Sequence, residues 1–479
     1  MQSGGQQRQG AQIGNLRVRR GRRQRQVVEV ERPAIRKPRR PGVMLLLLGF
    51  VVLIAIGTLL LWLPISSREE GSVPLLTALF TSTSAVCVTG LVVIDTFDHW
   101  TPFGQAVILL LIQLGGLGFM AFSTLLLLIL GRRVSLSQRV VTANLTGTLG
   151  ATSVADLLRR IVVMTVIFEV AGAVVLTTLF AFHDGEFGGR TLWRGVFTSV
   201  SAFNNAGFDI EGGGRSLIHL AGNPLILLTV AALTTGGSLG YAVVWDLKRS
   251  PRWRSLTLNS KIVLSTFAVL IIVGTMVIFA REAFDDGALG ALSLPEALVA
   301  SFAESTYART SGFTAFNLGA AEPEILLLLS GLMFIGGASG STAGGIKVNT
   351  FTTLFATIVA SIRGQERVHL FEREIPWGQV NRALTVALLS VAIVFAIVVA
   401  LLATNDADTS HVIFESFSAF GTTGLSAGIT GTLNAAGQLI LIAAMFVGRV
   451  GPLTIALALS SRFAARERIR YPEAEINIG

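Results

Sequence analysis

Four short stretches of this chain align with one another without a gap. They are Phe80–Leu91 (FTSTSAVCVTGL), Phe197–Phe208 (FTSVSAFNNAGF), Phe302–Phe313 (FAESTYARTSGF) and Phe414–Leu425 (FESFSAFGTTGL). Each opens on Phe ten residues before a glycine, giving the pairs Phe80/Gly90, Phe197/Gly207, Phe302/Gly312 and Phe414/Gly424. A hydroxyl residue stands six positions before each glycine: Ser84, Ser201, Thr306 and Ser418. The glycines are 117, 105 and 112 residues apart, so the chain is read as four tandem copies of one unit. A second mark follows each copy, a G-x-x-G at Gly115/Gly118, Gly237/Gly240, Gly337/Gly340 and Gly448/Gly451. Small residues at that spacing serve close helix packing in membranes.

Long apolar runs flank these stretches. Val43–Pro64 runs 22 residues and Gln105–Gly131 runs 27 without a charge. About 20 such residues cross a bilayer core as a helix. Only 14% of the chain is charged, against about 25% in soluble domains. The predicted unit is a long helix, a short pore helix, a glycine loop and a second long helix. The fold class is therefore all-α integral membrane, with eight transmembrane helices and four re-entrant loops around one pore. The first run begins beyond residue 40 and is too long for a cleaved signal peptide.

The net charge of +9 loses its nucleic-acid flavour once the charges are placed. Residues 1–42 hold 12 Lys/Arg, and further basic clusters follow every second span: Arg132/Arg133/Arg139 with Arg159/Arg160, Lys248–Lys261, Lys347–Arg382 and Arg462–Arg470. The alternate segments carry 18 Asp/Glu and 6 Lys/Arg, including Asp95, Asp98, Asp184, Glu186, Asp285, Asp286, Asp406 and Asp408. Lys/Arg excess marks the cytoplasmic side, which predicts cell-membrane localisation with both termini inside. The basic tail reads as an arm near anionic lipid. Cys87, the one cysteine, excludes an internal disulfide.

A short helix cannot survive facing lipid, and non-helical backbone at membrane depth must be buried or line water. Four of them with glycine loops are expected to enclose an aqueous path. Backbone carbonyls there can replace an ion's hydration shell. Glycine adopts the required conformations readily, and the negative ends of four helix dipoles favour a cation.

The third copy departs from the others. Gly336–Lys347 (GGASGSTAGGIK) is too rich in glycine to sustain a helix, each interior glycine costing about 1 kcal/mol against Ala, so this span is expected to break below the filter. Arg449 lies mid-span, where a charge costs about 2.5–3.5 kcal/mol or more. Glu169 is also mid-span and is expected to accept hydrogen bonds between helices. Arg309 is expected behind the filter, braced toward Glu304 or Glu415, with Cys87 and Asn205 also behind it.

This pattern resembles the Trk/Ktr/HKT superfamily of K⁺ transporters over about residues 43–460. The most specific matches are Val88-Thr89-Gly90-Leu91, Asn204-Asn205-Ala206-Gly207-Phe208, Ala308-Arg309-Thr310-Ser311-Gly312-Phe313 and Thr422-Thr423-Gly424-Leu425. Starting its first span at Val43, the chain is most similar to the KtrB type. The resemblance implies potassium ion uptake through a filter of Val88, Thr89, Gly90, Asn205, Ala206, Gly207, Thr310, Ser311, Gly312, Thr422, Thr423 and Gly424. K⁺ is the transported ion, held by the carbonyls of the four glycines, with Na⁺ an activator in some members. It implies an intramembrane gating loop at residues 336–347, with Gly336, Gly337, Ser339, Gly340, Ser341, Thr342, Gly344, Gly345 and Lys347, opposed by Arg449. It also implies a homodimer on a cytosolic nucleotide-binding ring similar to KtrA, which binds ATP/ADP. The domain reading is a tail (1–42), repeats at 43–133, 134–249, 250–368 and 369–461, and a tail (462–479).

An alternating-access secondary transporter is the nearest rival, since broken helices mark those too, but such folds use inverted repeats and these four run in one direction. An enzyme is not expected, because the five histidines show no H-E-x-x-H and no G-x-S-x-G is present. No P-loop or dinucleotide fingerprint appears, so no organic cofactor is expected on this chain.

Overall fold

The computed structural model describes residues 41–69, 71–131, 154–284 and 288–451. The basic tail 1–40, Arg132, Arg133, Arg139, Asp285, Asp286 and Arg462–Arg470 lie outside the described residues. Within them the regular secondary structure is helical save for one small hairpin. In order the helices are α1 (Pro41–Trp62), α2 (Leu75–Val86), α3 (Thr96–His99), α4 (Pro102–Gly131), α5 (Val154–Asp184), α6 (Gly189–Asn204) and α7 (Pro224–Arg249). They continue as α8 (Leu258–Glu282), α9 (Leu294–Tyr307), α10 (Pro323–Phe334), α11 (Val348–Ile362), α12 (Trp377–Thr404), α13 (Thr409–Gly421) and α14 (Ala435–Val450).

Five helices, in α4, α5, α7, α8 and α12, are long and apolar enough to cross a membrane by length and composition. Leu384, Leu388, Val391 and Phe395 of α12 are all exposed. Their steps of four, three and four residues lay one apolar stripe down the helix. Val163, Ile167, Val170 and Val174 do the same on α5. Exposed apolar faces of that size mark contact with a membrane or another protein, and the length and hydropathy of these helices suit the membrane. Inside, α2, α6, α9 and α13 are short because serines and threonines interrupt their apolar character, and those polar faces are buried among the longer helices. Each ends three to five residues before its glycine, Gly90, Gly207, Gly312 or Gly424.

The antiparallel hairpin, β1 (Val368–Leu370) with β2 (Arg373–Ile375), was not legible in sequence. Its turn places Phe371 and Glu372 at φ 46° and 61°, positions usually filled by Asn or Gly. Strands of three residues carry too little alternation to be read.

Candidate functional site: a four-glycine ring and the loop beneath it

The backbone around the four glycines repeats in detail. Gly90, Gly207, Gly312 and Gly424 all have positive φ (97°, 68°, 77° and 97°). Two residues before each stands a non-glycine residue that is also left-handed: Val88 (55°), Asn205 (61°), Thr310 (74°) and Thr422 (49°). For β-branched Val and Thr such values are outliers, and strain of that kind persists where the surroundings impose it, typically at functional sites. Thr89, Ala206, Ser311 and Thr423 lie between, completely buried.

The glycines meet in a closed ring. A Cβ added to Gly207 would lie 2.6 Å from the Gly312 Cα, and one on Gly312 3.2 Å from the Gly424 Cα. One on Gly424 would lie 2.9 Å from the Gly90 Cα, and one on Gly90 would strike the Ala206 carbonyl. A side chain at any of the four places would force neighbouring backbone to move. The ring therefore presents backbone, not side chains, to its axis.

The short helices hold the ring by matched bonds. Backbone Thr89 N donates to Ser84 O (2.8 Å), Ala206 N to Ser201 O (2.8 Å) and Thr423 N to Ser418 O (2.9 Å). In two copies the serine hydroxyl also accepts from the glycine itself, Gly90 N to Ser84 Oγ and Gly424 N to Ser418 Oγ, each at 3.1 Å. In those two copies the hydroxyl six residues ahead of the glycine thus has a mechanical reason, whereas Thr306 Oγ1 donates to Phe302 O instead. The first glycine of the G-x-x-G has a mechanical reason too: a Cβ on Gly115, Gly237 or Gly448 would strike the carbonyl of Val86, Phe203 or Phe420. Each of these is the residue four before a ring glycine, so the second long helix buttresses the ring from below.

Behind the ring, Glu169 accepts from Gln113 Nε2 (3.1 Å) and Asn204 Nδ2 (2.9 Å), linking α5, α4 and α6. The Asn205 amide, oriented so that both ends are satisfied, donates to Thr234 O (3.0 Å) and Ala202 O (3.1 Å) and accepts from Ser238 Oγ (2.5 Å). Cys87 is buried at the end of α2. Arg309 does lie buried behind the ring, but Glu304 and Glu415 are not its partners. It donates to Gly336 O (3.2 Å) and stacks on Phe267 at 3.6 Å. The glutamates instead tie down the segments that leave the ring. Glu304 accepts from Ala315 N (2.8 Å) and Thr314 Oγ1 (3.2 Å), and Glu415 from Ser426 Oγ and Thr430 Oγ1 (2.9 Å). Sequence spacing could not choose between these uses.

Under the ring, helix α10 stops at Phe334 and α11 begins at Val348. The intervening loop folds back on itself through Gly336 N to Ile346 O (2.9 Å) and Val348 N to Gly337 O (3.1 Å). It is pinned to α7 by Ala338 N to Ser238 O (2.9 Å) and Thr342 N to Gly237 O (3.3 Å). Helix α7 is itself broken there, at Gly240 (φ 73°), which packs against Gly340. Gly344 lies directly under the ring, where a Cβ would be 2.8 Å from Gly421 O and would strike Thr422. Ser341 Oγ donates to Ala338 O (2.7 Å), and Gly345 takes φ 62°. Ser339 and Gly340 form the turn at the loop's tip.

Arg449 reaches this loop from α14. It is fully buried, donates to Thr342 O, and donates to Gly115 O at 3.2 Å. Lys347 donates to Ala343 O (2.5 Å). Neither forms an ion pair among the described residues. Both cations face the Phe119 ring, with Arg449 at 4.5 Å and Lys347 at 5.2 Å from its centroid. Sequence reasoning missed Phe119, because one Phe in an apolar run carries no signal of its own.

In the N-terminal half of α6, Arg194 makes a fork to Glu211 (2.7 and 2.5 Å) and bonds Asp184 (2.7 Å), while His219 Nε2 lies 3.1 Å from Glu211. Burial raises the Glu211 pKa, but hydrogen bonds from His219 and Arg194 and the Arg194 charge outweigh it, so the carboxyl titrates below the ordinary glutamate range. A group with a lowered folded pKa contributes stability that is complete above its unfolded value and is lost as pH falls through the folded one. The thermal-unfolding advantage of the native chain over Glu211→Gln is therefore expected to be retained in full, and not to fall, from pH 7 to pH 5. Below about pH 4.5, the ordinary glutamate range, it should shrink. An advantage already fading between pH 7 and 5 would contradict this.

Helices long and apolar enough to cross a membrane, packed around a tight backbone ring, fit a multi-pass cation transport protein. A family model described as TrkH, cation transport protein, matches residues 40–464, and the chain belongs to that family. It is 36% identical over 434 residues to the Ktr system potassium uptake protein B of Bacillus subtilis, covering 91% of this chain and 96% of that one. It is 37% identical to the potassium/sodium uptake protein NtpJ of Enterococcus hirae, over 93% and 98% of the two chains. The crystal structure of the potassium transporter TrkH from Vibrio parahaemolyticus superposes with a TM-score of 0.71 at 18% identity, covering 91% of this chain and 88% of that one. That likeness speaks for the fold.

Proposed function

We propose that this chain takes up potassium through the four-glycine ring, with the loop at residues 336–347 as the gate. The observation that carries the reading is the closed order of the ring, Gly90 to Gly207 to Gly312 to Gly424 and back to Gly90. Four equivalent backbone segments, each with two left-handed residues in alternation, can turn carbonyls toward one axis. The four sequence repeats make eight spans, with α10 and α11 as one interrupted span. The basic segments lie on the cytoplasmic side by the Lys/Arg rule. Domain limits at 43–133, 134–249, 250–368 and 369–461 follow from the same repeats.

The gate is held shut by Arg449 and Lys347, two cations placed beneath the ring. The relatives' names support K⁺ as cargo, and one of them names sodium as well. The name "Ktr system" supports assembly with other components, for which a homodimer on a cytosolic nucleotide-binding ring is the proposed form.

The test is ⁸⁶Rb⁺ uptake into proteoliposomes holding the purified chain, with K⁺ and Na⁺ as competitors. Uptake blocked by K⁺ and spared by Na⁺ is expected. Flux equally sensitive to both ions would overturn potassium selectivity. No flux under any gradient, with the ring partner added, would overturn the transport reading altogether.

A further inference from the structure

Away from the ring, a cavity of about 490 Å³ opens between the first turns of α5 and the last turns of α7. Its wall combines two chemistries. Arg159, Arg160 and Lys248 gather at its mouth, with Asp156 the single opposing charge. Below them the floor is apolar and turned outward, with Ile167 60% exposed and Val163 49% exposed. Between the two layers Trp245 is stacked on Tyr241, ring centroids 6.0 Å apart, and Arg160 lies over the Trp245 ring at 4.9 Å. Among the described residues none of the three cations has an ion-pair partner.

We infer that this cavity binds an anionic phospholipid, with its phosphodiester among Arg159, Arg160 and Lys248 and an acyl chain along Val163 and Ile167. The layering carries the assignment. Trp and Tyr settle at headgroup depth, and basic side chains reach from an apolar stem toward the interface. Basic pockets between membrane helices are the usual seats of anionic headgroups. A soluble anion would use the cations but not the outward apolar floor. A zwitterionic lipid would use the floor, but its own ammonium would oppose the net positive mouth. Helices α5 and α7 also flank α6, and Gly237 and Ser238 of α7 hold the gate loop. A lipid clamped between them therefore sits on the elements that frame the proposed gate.

Trp245 provides the reporter. The full chain is reconstituted in phosphatidylcholine vesicles, and brominated phosphatidylglycerol or brominated phosphatidylcholine is titrated in. The Trp245 signal is taken as the difference between the native chain and Trp245→Phe. Half-maximal quenching is expected at a mole fraction roughly fivefold or more lower for the anionic lipid. The triple variant Arg159→Gln/Arg160→Gln/Lys248→Gln should bring the two curves together. The changes are at exposed positions, so folding is spared, and quenching by the zwitterionic lipid should be retained.

Coincident curves in the native chain would overturn the inference, as would a preference that survives in the triple variant. Absence of quenching by either lipid would mean another part of the chain or a second copy covers the cavity. Loss of the preference on adding millimolar inorganic phosphate at constant ionic strength would reassign the cations to a soluble anion.

Discussion

Gly312→Ser is expected to lower the preference for K⁺ over Na⁺ by about tenfold or more while leaving a measurable flux. Gly312 sits at φ 77°, a region that costs an L-residue about 1–2 kcal/mol. A serine Cβ would also stand 2.5 Å from Thr423 O and 2.9 Å from the Gly207 Cα. Neither neighbour is a flexible side-chain end, so the backbone of two other copies must yield. A carbonyl ring displaced by a few tenths of an ångström no longer matches the hydration energy it replaces, and a change of about 1.4 kcal/mol between two ions is tenfold. The measurement is Na⁺ competition against ⁸⁶Rb⁺ uptake, beside size-exclusion profiles to establish folding. A folded variant with native discrimination would remove the ring from the selectivity mechanism. Gly118, which has open space around it, supplies the control, and Gly118→Ala should leave discrimination unchanged.

Arg449→Ala is expected to raise flux in the absence of any partner by about tenfold or more. Two effects act in the same direction. The guanidinium holds the loop through Thr342 O and joins it to α4 through Gly115 O. Its charge also opposes any cation brought close to it beneath the ring, since like unit charges about 4 Å apart repel by about 4 kcal/mol at an effective dielectric of about 20. Arg449→Lys separates the two effects. It keeps the charge but loses the fork that reaches both carbonyls at once, so its flux should fall between the native chain and Arg449→Ala. Unchanged rate and regulation in Arg449→Ala would end the role of this residue as a gate. Phe119 joins the proposed gate, since it faces Arg449 and Lys347 together. A cation packed on an aromatic face gains about 2 kcal/mol when desolvated, which offsets part of the cost of its burial.

Much of this site was legible because it repeats. A glycine that recurs at a fixed offset from Phe and from a hydroxyl announces a backbone requirement, and the positive φ values at Gly90, Gly207, Gly312 and Gly424 are that requirement. The helix break below the ring was legible for a different reason, since Gly336–Gly345 lacks the side chains that would sustain a helix. Arg309 was misassigned because a cation near two glutamates suggests an ion pair. The fold gives it a carbonyl and the Phe267 ring instead.

What the sequence by itself determined is the recurring segment around each of the four glycines and the helix break at residues 336–345. These follow from local rules of hydropathy length, helix propensity and backbone sterics. Only the tertiary structure decided who meets whom. The carbonyls that receive Arg449 belong to Thr342 and Gly115, 107 and 334 residues away. A carbonyl is present at every residue, so no side-chain identity could mark those two. The order in which the glycines close their ring was likewise set by packing, because four helices converge on one axis only when all the long helices are in place.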